Sequence, residues 1–335
     1  MVKRVYITDC EGPISKNDNA FELASEIIPN GDKFFPVISK YDDVQADVVK
    51  RPGYKAGDTL KLILPFFKAF GATDKKMEEY SSKNILLVPE AGNTIKTISE
   101  IMPTFIVSTS YEHYIRSLCG KIDFPFENTY STRLNIDNYE IGEYEKNKLE
   151  EIAREVVAMP IMEIPESNSF KDFSSVDKSN IMRLDKIFWK EIPQMKIGKI
   201  LEEVNPIGGF EKANAVDDIV RKLDTKLSEV MYVGDSITDV QAFQKVRNAG
   251  GLTVSFNGND YAVREAEIGI TAHTAAVMTV LADTFFEEGK EEVMNSVKFF
   301  PDRILIINSE NRKQFAEYSG KFRKNVRGEA IGKLG

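Results

Sequence analysis

Two short apolar runs in this chain each end in an acidic turn. The first run is VYIT, which leads to Asp9 and Glu11, and the second is VMYVG, which leads to Asp235 and Asp239. Short runs of β-branched and aromatic residues bounded by turn residues are typical of buried strands. A carboxylate beside a buried strand costs free energy unless a partner compensates its charge. We therefore expect the two turns to lie side by side at one edge of a sheet, where they would form a site for a divalent cation.

The composition is that of a globular protein and restricts the class of partner. The 335 residues are 42% hydrophobic and 29% charged, and the formal net charge is −8. That charge argues against a general nucleic-acid or anionic-membrane binder. The two cysteines, Cys10 and Cys119, fit a reducing compartment, and the first residues lack the layout of a signal peptide, so we expect a cytoplasmic protein. No apolar stretch approaches the length of a membrane span, so we expect no membrane insertion.

Strand and helix alternate in several parts of the sequence. A strand at 104–107 lies between helices at 90–102 and 111–119, and strands at 230–233 and 252–256 are each followed by a helix. Such alternation predicts an α/β fold with a parallel sheet. We assign residues 1–14, 85–142 and 205–284 to this core.

The remaining segments have different patterns. Residues 15–84 show helical spacing and no convincing strand, which predicts a small helical domain inserted after the first strand. Residues 143–204 form a second, mostly helical insertion. Residues 285–335 form a C-terminal extension with one apolar run, RILIIN, and a basic end at 321–333, which we interpret as solvated.

Polar residues follow three of the predicted strands. Ser108 and Thr109 follow the strand at 104–107, and the two acidic turns follow the other two. Ligands bind beyond the carboxyl ends of the strands in an open parallel sheet. Lys212 begins the amphipathic helix that leads to the strand at 230–233. Together these residues supply the groups that phosphoryl transfer needs: a nucleophile, an acid–base carboxylate, a hydroxyl, an ammonium and metal-binding carboxylates.

Each group has a specific expected task. Asp9 would attack phosphorus and form an aspartyl-phosphate, and Mg²⁺ would reduce the repulsion between Asp9 and the incoming phosphate. Glu11 would protonate the leaving oxygen and then deprotonate the hydrolytic water. Lys212 and the Ser108 hydroxyl would hold the phosphate oxygens.

Four motifs follow one another along the chain in this order: DCEGP, FIVSTS, FEKANAV and GDSITD. With these motifs the chain resembles the haloacid dehalogenase superfamily of phosphohydrolases, and most of all its phosphoserine-phosphatase-like branch. The whole chain is also similar to an archaeal group named energy-converting hydrogenase A subunit R. The superfamily resemblance implies a doubly wound, Rossmann-like parallel sheet and a helical cap at 15–84 that closes over a small phosphorylated metabolite.

The resemblance also implies particular site residues. The expected metal ligands are Asp9, Glu11, Asp235 and Asp239, with Asp239 also supporting Asp235 and Lys212. The expected phosphate-binding residues are Ser108, Thr109 and Lys212. In the cap, Arg51, with Lys55 nearby, is a candidate for binding a substrate carboxylate, although a plain surface position is at least as good an interpretation.

Several alternatives stay open at this point. Asp9, Asp235 and Ser108 could be helix N-caps, and Ser110 could replace Ser108. Lys212 is identified by local context because a long insertion precedes it, so Lys196 and Lys199 are possible substitutes.

A further question concerns the reaction itself. Glu11 stands where the family usually has Asp, which leaves the balance between hydrolysis and phosphotransfer open. A different class of function is an accessory or regulatory subunit of a hydrogenase-type complex that uses the insertion and the extension as docking surfaces.

Overall fold

Seven strands form one sheet in the computed structural model, which describes residues 4–299, 303–332 and 334. The strands are β1 Val5–Thr8, β2 Thr104–Tyr111, β3 Thr129–Thr132, β4 Val230–Gly234, β5 Leu252–Phe256, β6 Ile268–Ile270 and β7 Ile304–Ile306. Their order across the sheet is β3-β2-β1-β4-β5-β6-β7. All neighbours are parallel except β6 and β7, which are antiparallel. This order reverses between β1 and β4 as in a Rossmann-like sheet, so the predicted α/β fold with a doubly wound sheet is confirmed.

β1 lies at the centre of the sheet and sets the position of the two acidic turns. All four of its residues are buried, as a parallel strand covered on both faces requires. Thr8 pairs with Val233 of β4, so the residues that follow both strands emerge next to each other. The predicted meeting of the two turns is thereby confirmed.

Helices cover both faces of the sheet. The helices of the core are α6 Ala91–Ile101, α7 Glu112–Ile122, α11 Phe210–Leu223, α12 Val240–Asn248, α13 Asp260–Glu265, α14 Val277–Glu287 and α15 Lys290–Ser296. Side chains of α6, α7 and α14 pack on one face of the sheet. Side chains of α11, α12 and α13 pack on the other face.

The cap is built from two separate segments of the chain. Its helices are α1 Asn19–Ile27, α2 Gly31–Asp43, α3 Thr59–Leu62, α4 Leu64–Ala69 and α5 Asp74–Lys83 from the first segment, and α8 Glu143–Val157, α9 Ser175–Lys186 and α10 Ile200–Glu203 from the second. Buried side chains of both segments share one hydrophobic cluster. The Phe188 ring, for example, lies 5.7 Å from that of Tyr41 and 6.3 Å from that of Phe66. The insertion at 143–204 is therefore the second half of the cap layer.

The C-terminal extension adds an edge strand and a long helix to the core. The apolar run RILIIN contains β7, and the helices that follow are α16 Arg312–Arg327 and α17 Glu329–Gly332. Phe315 of α16 packs under β6, where its ring would lie 2.2 Å from a Cβ placed on Gly269. A residue with any side chain at position 269 would therefore force the Phe315 ring to move.

The structure differs from the sequence expectations at several boundaries. β2 continues through Ser108 to Tyr111 because its pairing with β3 resumes there after a register shift. β3 and β6 were not predicted: each has only three or four residues, and Thr, Ser and Gly in them give no periodic apolar pattern. Within the described part of the chain, no helix has both the length and the apolar character that a membrane crossing needs.

Candidate active site

Asp9, Lys212 and Asp239 form a buried charged row at the carboxyl ends of β1 and β4. The Lys212 ammonium lies 2.7 Å from Asp9 Oδ2 and 2.8 Å from Asp239 Oδ1, and its side chain is fully buried. The second oxygen of Asp9, Oδ1, accepts a hydrogen bond of 2.6 Å from the Cys10 amide. The lysine thus links the residues that follow the two strands.

Burial is the largest single influence on the pKa values of Asp9 and Lys212. The pKa of Asp9 is raised to about 7, chiefly by burial; Lys212 opposes this shift, and the nearby Asp239 and Asp235 contribute to it. Burial lowers the pKa of Lys212, but the two carboxylates more than offset this, so its pKa is raised and the ammonium keeps its charge. Negative charge is therefore in excess around Asp9.

Asp239 acts as a brace between the strand and its helix. Its Oδ1 accepts hydrogen bonds from Lys212 and from the Tyr232 hydroxyl, each at 2.8 Å. Its Oδ2 accepts hydrogen bonds from the amides of Asp235 and Ser236 at 3.0 and 3.1 Å. These four bonds account for the predicted support of Asp235 and Lys212, and they leave little capacity for a metal ligand.

Glu11 lies where the core meets the cap. Its Oε1 accepts a 2.7 Å hydrogen bond from the Asn19 amide at the start of α1. Burial raises the pKa of Glu11 well above its usual range, and Asp18 adds to this while Arg327 opposes it.

Gly12 has a φ of +110° and lies so close to Asp235 that a Cβ there would be 2.2 Å from Oδ2. Only glycine allows the two acidic turns to approach this closely.

The hydroxyl groups at the end of β2 have different environments. The buried Ser108 Oγ donates to Ser110 Oγ at 3.1 Å and accepts from the Ser110 amide at 3.2 Å. Thr109 Oγ1 instead donates to the Ile207 carbonyl at 3.0 Å. All three residues line the same cavity as Asp9. Ser108 and Ser110 both stay candidates for phosphate binding, whereas the Thr109 hydroxyl already has a partner in the loop before α11.

Both alternative candidates for the site lysine lie away from Asp9. Lys196 is exposed and pairs with Glu140, and Lys199 is exposed and lies 3.9 Å from Glu203. Among the described residues, only Lys212 of the three contacts Asp9. The structure thus favours the assignment that local sequence context gave.

Arg51 is not brought to the site. Its Nη2 lies 2.8 Å from Asp185 Oδ1, its Nε donates to Gln45 at 2.7 Å, and its guanidinium lies 4.7 Å from the centre of the Trp189 ring. The residue joins the two segments of the cap, since Asp185 and Trp189 belong to the second one. The expectation of a substrate-binding Arg51 is replaced by a structural role within the cap.

Two residues that the sequence analysis missed, Arg323 and Arg327 of α16, lie in the site. Both donate from Nη1 to Asp235 Oδ2, Arg327 at 3.2 Å. Each side chain is only 4% exposed. The expectation of a solvated basic end is wrong at these two positions, and Lys333 lies outside the described residues. A signal was available, because Phe315, Ser319, Arg323 and Arg327 recur at a spacing of four on one helix face.

A small cavity lies between the core, the cap and the C-terminal helices. Its volume is about 100 Å³. The charged residues that line it, within the part of the chain that the structure describes, are Asp9, Glu11, Asp18, Asp42, Asp43, Asp235, Arg323 and Arg327. Such a volume is below the range of pockets that enclose whole drug-sized ligands, and it suits a single small group.

The carboxylates at this edge of the sheet meet the chemical requirements of Mg²⁺. Oxygen atoms of Asp9, Asp235 and Asp239 all lie within 4.8 Å of one another. Hard carboxylate oxygens are the ligands that Mg²⁺ prefers, together with water and phosphate oxygen. Burial and the neighbouring carboxylates together raise the pKa of Asp9, and a cation would favour its ionised form. Asp9 and Asp235 are the residues best placed to hold it, and the roles of all these side chains stay predictions.

Comparison with solved structures finds the fold along the whole chain in another protein. A gene product of Archaeoglobus fulgidus is 29% identical, with a TM-score of 0.86 and coverage of 99% of both chains. A phosphoserine phosphatase, solved as a phospho-aspartyl intermediate analogue, is 13% identical, with a TM-score of 0.47 and coverage of 83% of this chain and 98% of that one. A HAD family hydrolase from Salmonella enterica subsp. enterica serovar Typhi is 12% identical, with a TM-score of 0.49 and coverage of 85% and 72%.

Sequence comparisons add no further relative. No protein-family model and no curated protein sequence matches this chain. The likeness to the Archaeoglobus protein establishes a shared fold and brings no activity with it. The function is therefore argued from the site of this chain.

Proposed function

We propose that this protein is a magnesium-dependent phosphatase of the haloacid dehalogenase type that hydrolyses a small phosphorylated metabolite. The observation that carries the proposal is the Asp9 carboxylate. It lies beyond the central strand, 2.7 Å from the buried Lys212 ammonium, and lines a cavity together with Glu11, Ser108 and Asp235. A carboxylate that contacts a fixed cation and faces a small enclosed space is suited to attack phosphorus.

The first half of the reaction forms an aspartyl-phosphate. An oxygen of Asp9 bonds to phosphorus while the bond from phosphorus to the leaving oxygen breaks, and Glu11 gives its proton to that oxygen. Burial raises the pKa of Glu11, which favours the protonated form that a general acid requires. Lys212 and Ser108 stabilise the charge on the phosphoryl oxygens. Bound Mg²⁺ would supply positive charge that keeps Asp9 ionised beside the phosphate.

The second half regenerates the enzyme. Glu11, now a carboxylate, takes a proton from a water molecule, whose oxygen bonds to phosphorus. The bond between phosphorus and Asp9 breaks, so the carboxylate is restored and inorganic phosphate is released. Glu11 lines the cavity and contacts the start of α1 in the cap, which supports a role in proton transfer to the leaving group and from water.

A screen of phosphate monoesters tests this function. With Mg²⁺ present, the full chain should release inorganic phosphate from p-nitrophenyl phosphate and, faster, from at least one small metabolite. Removal of the cation with EDTA should abolish the release, and added Mg²⁺ should restore it. Phosphate release that is indifferent to EDTA would contradict the role of the cation, and a complete lack of turnover across the panel would contradict the proposed function.

Glu11→Gln should separate the two halves of the reaction. The amide cannot give or take the proton, so we expect steady-state turnover to fall by about a hundredfold to ten-thousandfold. With p-nitrophenyl phosphate, whose leaving group needs little protonation, the first half should survive and give a burst of one nitrophenolate per protein. Rapid-quench measurement of the burst checks this. If Glu11→Gln turned over at the wild-type steady-state rate and showed no burst, Glu11 would have no part in the mechanism.

The same site also admits transfer of the phosphoryl group to an alcohol, since Glu11 could deprotonate an alcohol as well as water. Product analysis with added glycerol distinguishes the two outcomes. The accessory-subunit hypothesis loses much of its basis, because the insertion packs inside the cap and α16 packs into the site instead of forming free docking surfaces. No observation favours the resemblance to the hydrogenase subunit group.

A further inference from the structure

The C-terminal helix α16 places a row of side chains against the core. Ser319 Oγ donates to the Gly258 carbonyl at 2.6 Å, and Arg323 and Arg327, one and two turns later, reach Asp235. All three face the same side of the helix because they are spaced by four residues. The helix is thus held firmly while it presents two guanidinium groups to the cavity.

The two arginines differ in how fully their donors are used. Arg327 donates from Nε to the Lys16 carbonyl at 3.1 Å and from Nη2 to the Asn17 carbonyl, in addition to its bond with Asp235. All three nitrogens of Arg327 therefore have partners. They fasten α16 to the segment that joins β1 to the cap.

Arg323 keeps donor capacity that the protein does not use. Its Nη1 bonds Asp235, and its Nη2 has only a 3.5 Å contact with the Leu334 carbonyl. Its Nε is buried and, among the described residues, has no hydrogen-bond partner. A buried donor without a partner costs free energy, and an acceptor group entering from outside would recover it. Nε and a terminal nitrogen of a guanidinium together match two oxygens of a phosphate.

The cavity fits one phosphoryl group. Its volume of about 100 Å³ corresponds to the space of roughly three water molecules in the liquid. Arg323 and Arg327 are the cationic side chains that line it within the described chain, whereas the lining acids are numerous. A dianion entering such a space requires these cations as counter-charges.

We propose that Arg323 binds the phosphoryl group of the substrate through Nε and Nη2, so that the C-terminal helix completes the active site. This inference rests on the proposed function and adds to it a binding residue from outside the four motifs. Arg327 is a positioning residue, which fastens α16 to the segment that joins β1 to the cap and holds Asp235 beside Arg323.

Binding of inorganic phosphate to the full chain, measured by titration calorimetry with Mg²⁺ present, tests the inference. Arg323→Gln should weaken phosphate binding by about tenfold to a hundredfold, the effect of one charge-assisted bidentate contact. Arg323→Lys, which keeps the charge and loses the planar donor pair, should bind with intermediate affinity. Lys321→Gln is the matched control, since it removes one positive charge from an exposed position of the same helix and should bind as the wild type does.

A measurement on the unmodified protein guards against variants that fold poorly. In the wild type, phosphate should shift one arginine Nε–H signal in the ¹⁵N NMR spectrum, and that signal should be missing in Arg323→Lys. Wild-type affinity in folded Arg323→Gln, equal losses in Arg323→Gln and Lys321→Gln, or no Nε–H shift would each overturn the inference.

The outcomes also separate this inference from the proposed function. Phosphate binding that depends on Arg323 in a protein without turnover would support the inference and remove the phosphatase. Turnover with a KM unchanged by Arg323→Gln would support the phosphatase and overturn the inference.

Discussion

Asp9→Asn is expected to lower phosphatase turnover by about a thousandfold or more while the chain stays folded. An amide does not attack phosphorus, so no covalent intermediate can form. Asparagine has nearly the same shape, and its single oxygen can accept one of the two hydrogen bonds that Asp9 accepts from Cys10 and Lys212. Lys212 retains its second partner, Asp239. The fold should therefore tolerate the change.

The experiment compares release of nitrophenolate by the wild type, Asp9→Asn and Asp283→Asn, with thermal unfolding measured for each. Asp283 is an exposed carboxylate of α14, so its replacement removes the same charge away from the site. We expect wild-type turnover from Asp283→Asn. Substantial turnover from folded Asp9→Asn would show that another group attacks phosphorus.

Lys212→Met is expected to reduce the free energy of unfolding by about 3–5 kcal/mol, the usual cost of removing one partner from a buried ion pair. Methionine fills a similar volume without charge. Asp9 and Asp239 would then lie buried with the repulsion between them uncompensated. This change should affect stability more than any surface substitution.

The loss should depend on pH in a defined direction. With lysine present, the pKa of Asp9 is already raised to about 7, and without the ammonium it would rise further. The folded state then binds more protons than the unfolded state between the two pKa values, so stability falls as pH rises through that window. The deficit of Lys212→Met should therefore be larger at pH 8 than at pH 5.

Urea unfolding of the wild type, Lys212→Met and Lys222→Met at both pH values checks this. Lys222 lies on the same helix, α11, but is exposed, and its pairing with Asp218 should contribute little. Equal losses in the two variants, or a deficit that does not grow with pH, would contradict a central electrostatic role for Lys212.

Local sequence patterns were sufficient where a short segment carries its own signal. The runs before Asp9 and Asp235 are continuously apolar because β1 and β4 are buried on both faces, and turn residues follow at once. β3 and β6 gave no such signal, because a strand of three or four residues is defined by its neighbours and not by its own periodicity. The sheet was therefore predictable at its centre and not at two of its outer strands.

The same limit applied to the charged residues, whose roles were predictable only where the signal was local. Lys212 could be identified because its helix leads directly into β4, whereas Arg51 and Arg323 lie 134 and 88 residues along the chain from their carboxylate partners. Arg51 contacts Asp185, and Arg323 contacts Asp235. A guanidinium group has the same sequence pattern whether it meets solvent, a cap residue or an active-site carboxylate, so the sequence could not assign either one.

The sequence by itself determined the central strands, the acidic turns that follow them and the lysine that precedes β4, because burial on both faces and turn chemistry act over a few neighbouring residues. Only the tertiary structure decided that the cap has two segments, that Asp239 is a brace and that α16 brings Arg323 and Arg327 to Asp235. Those contacts join residues far apart along the chain. Their free energy comes from packing and from charge compensation, which exist only once the chain has folded.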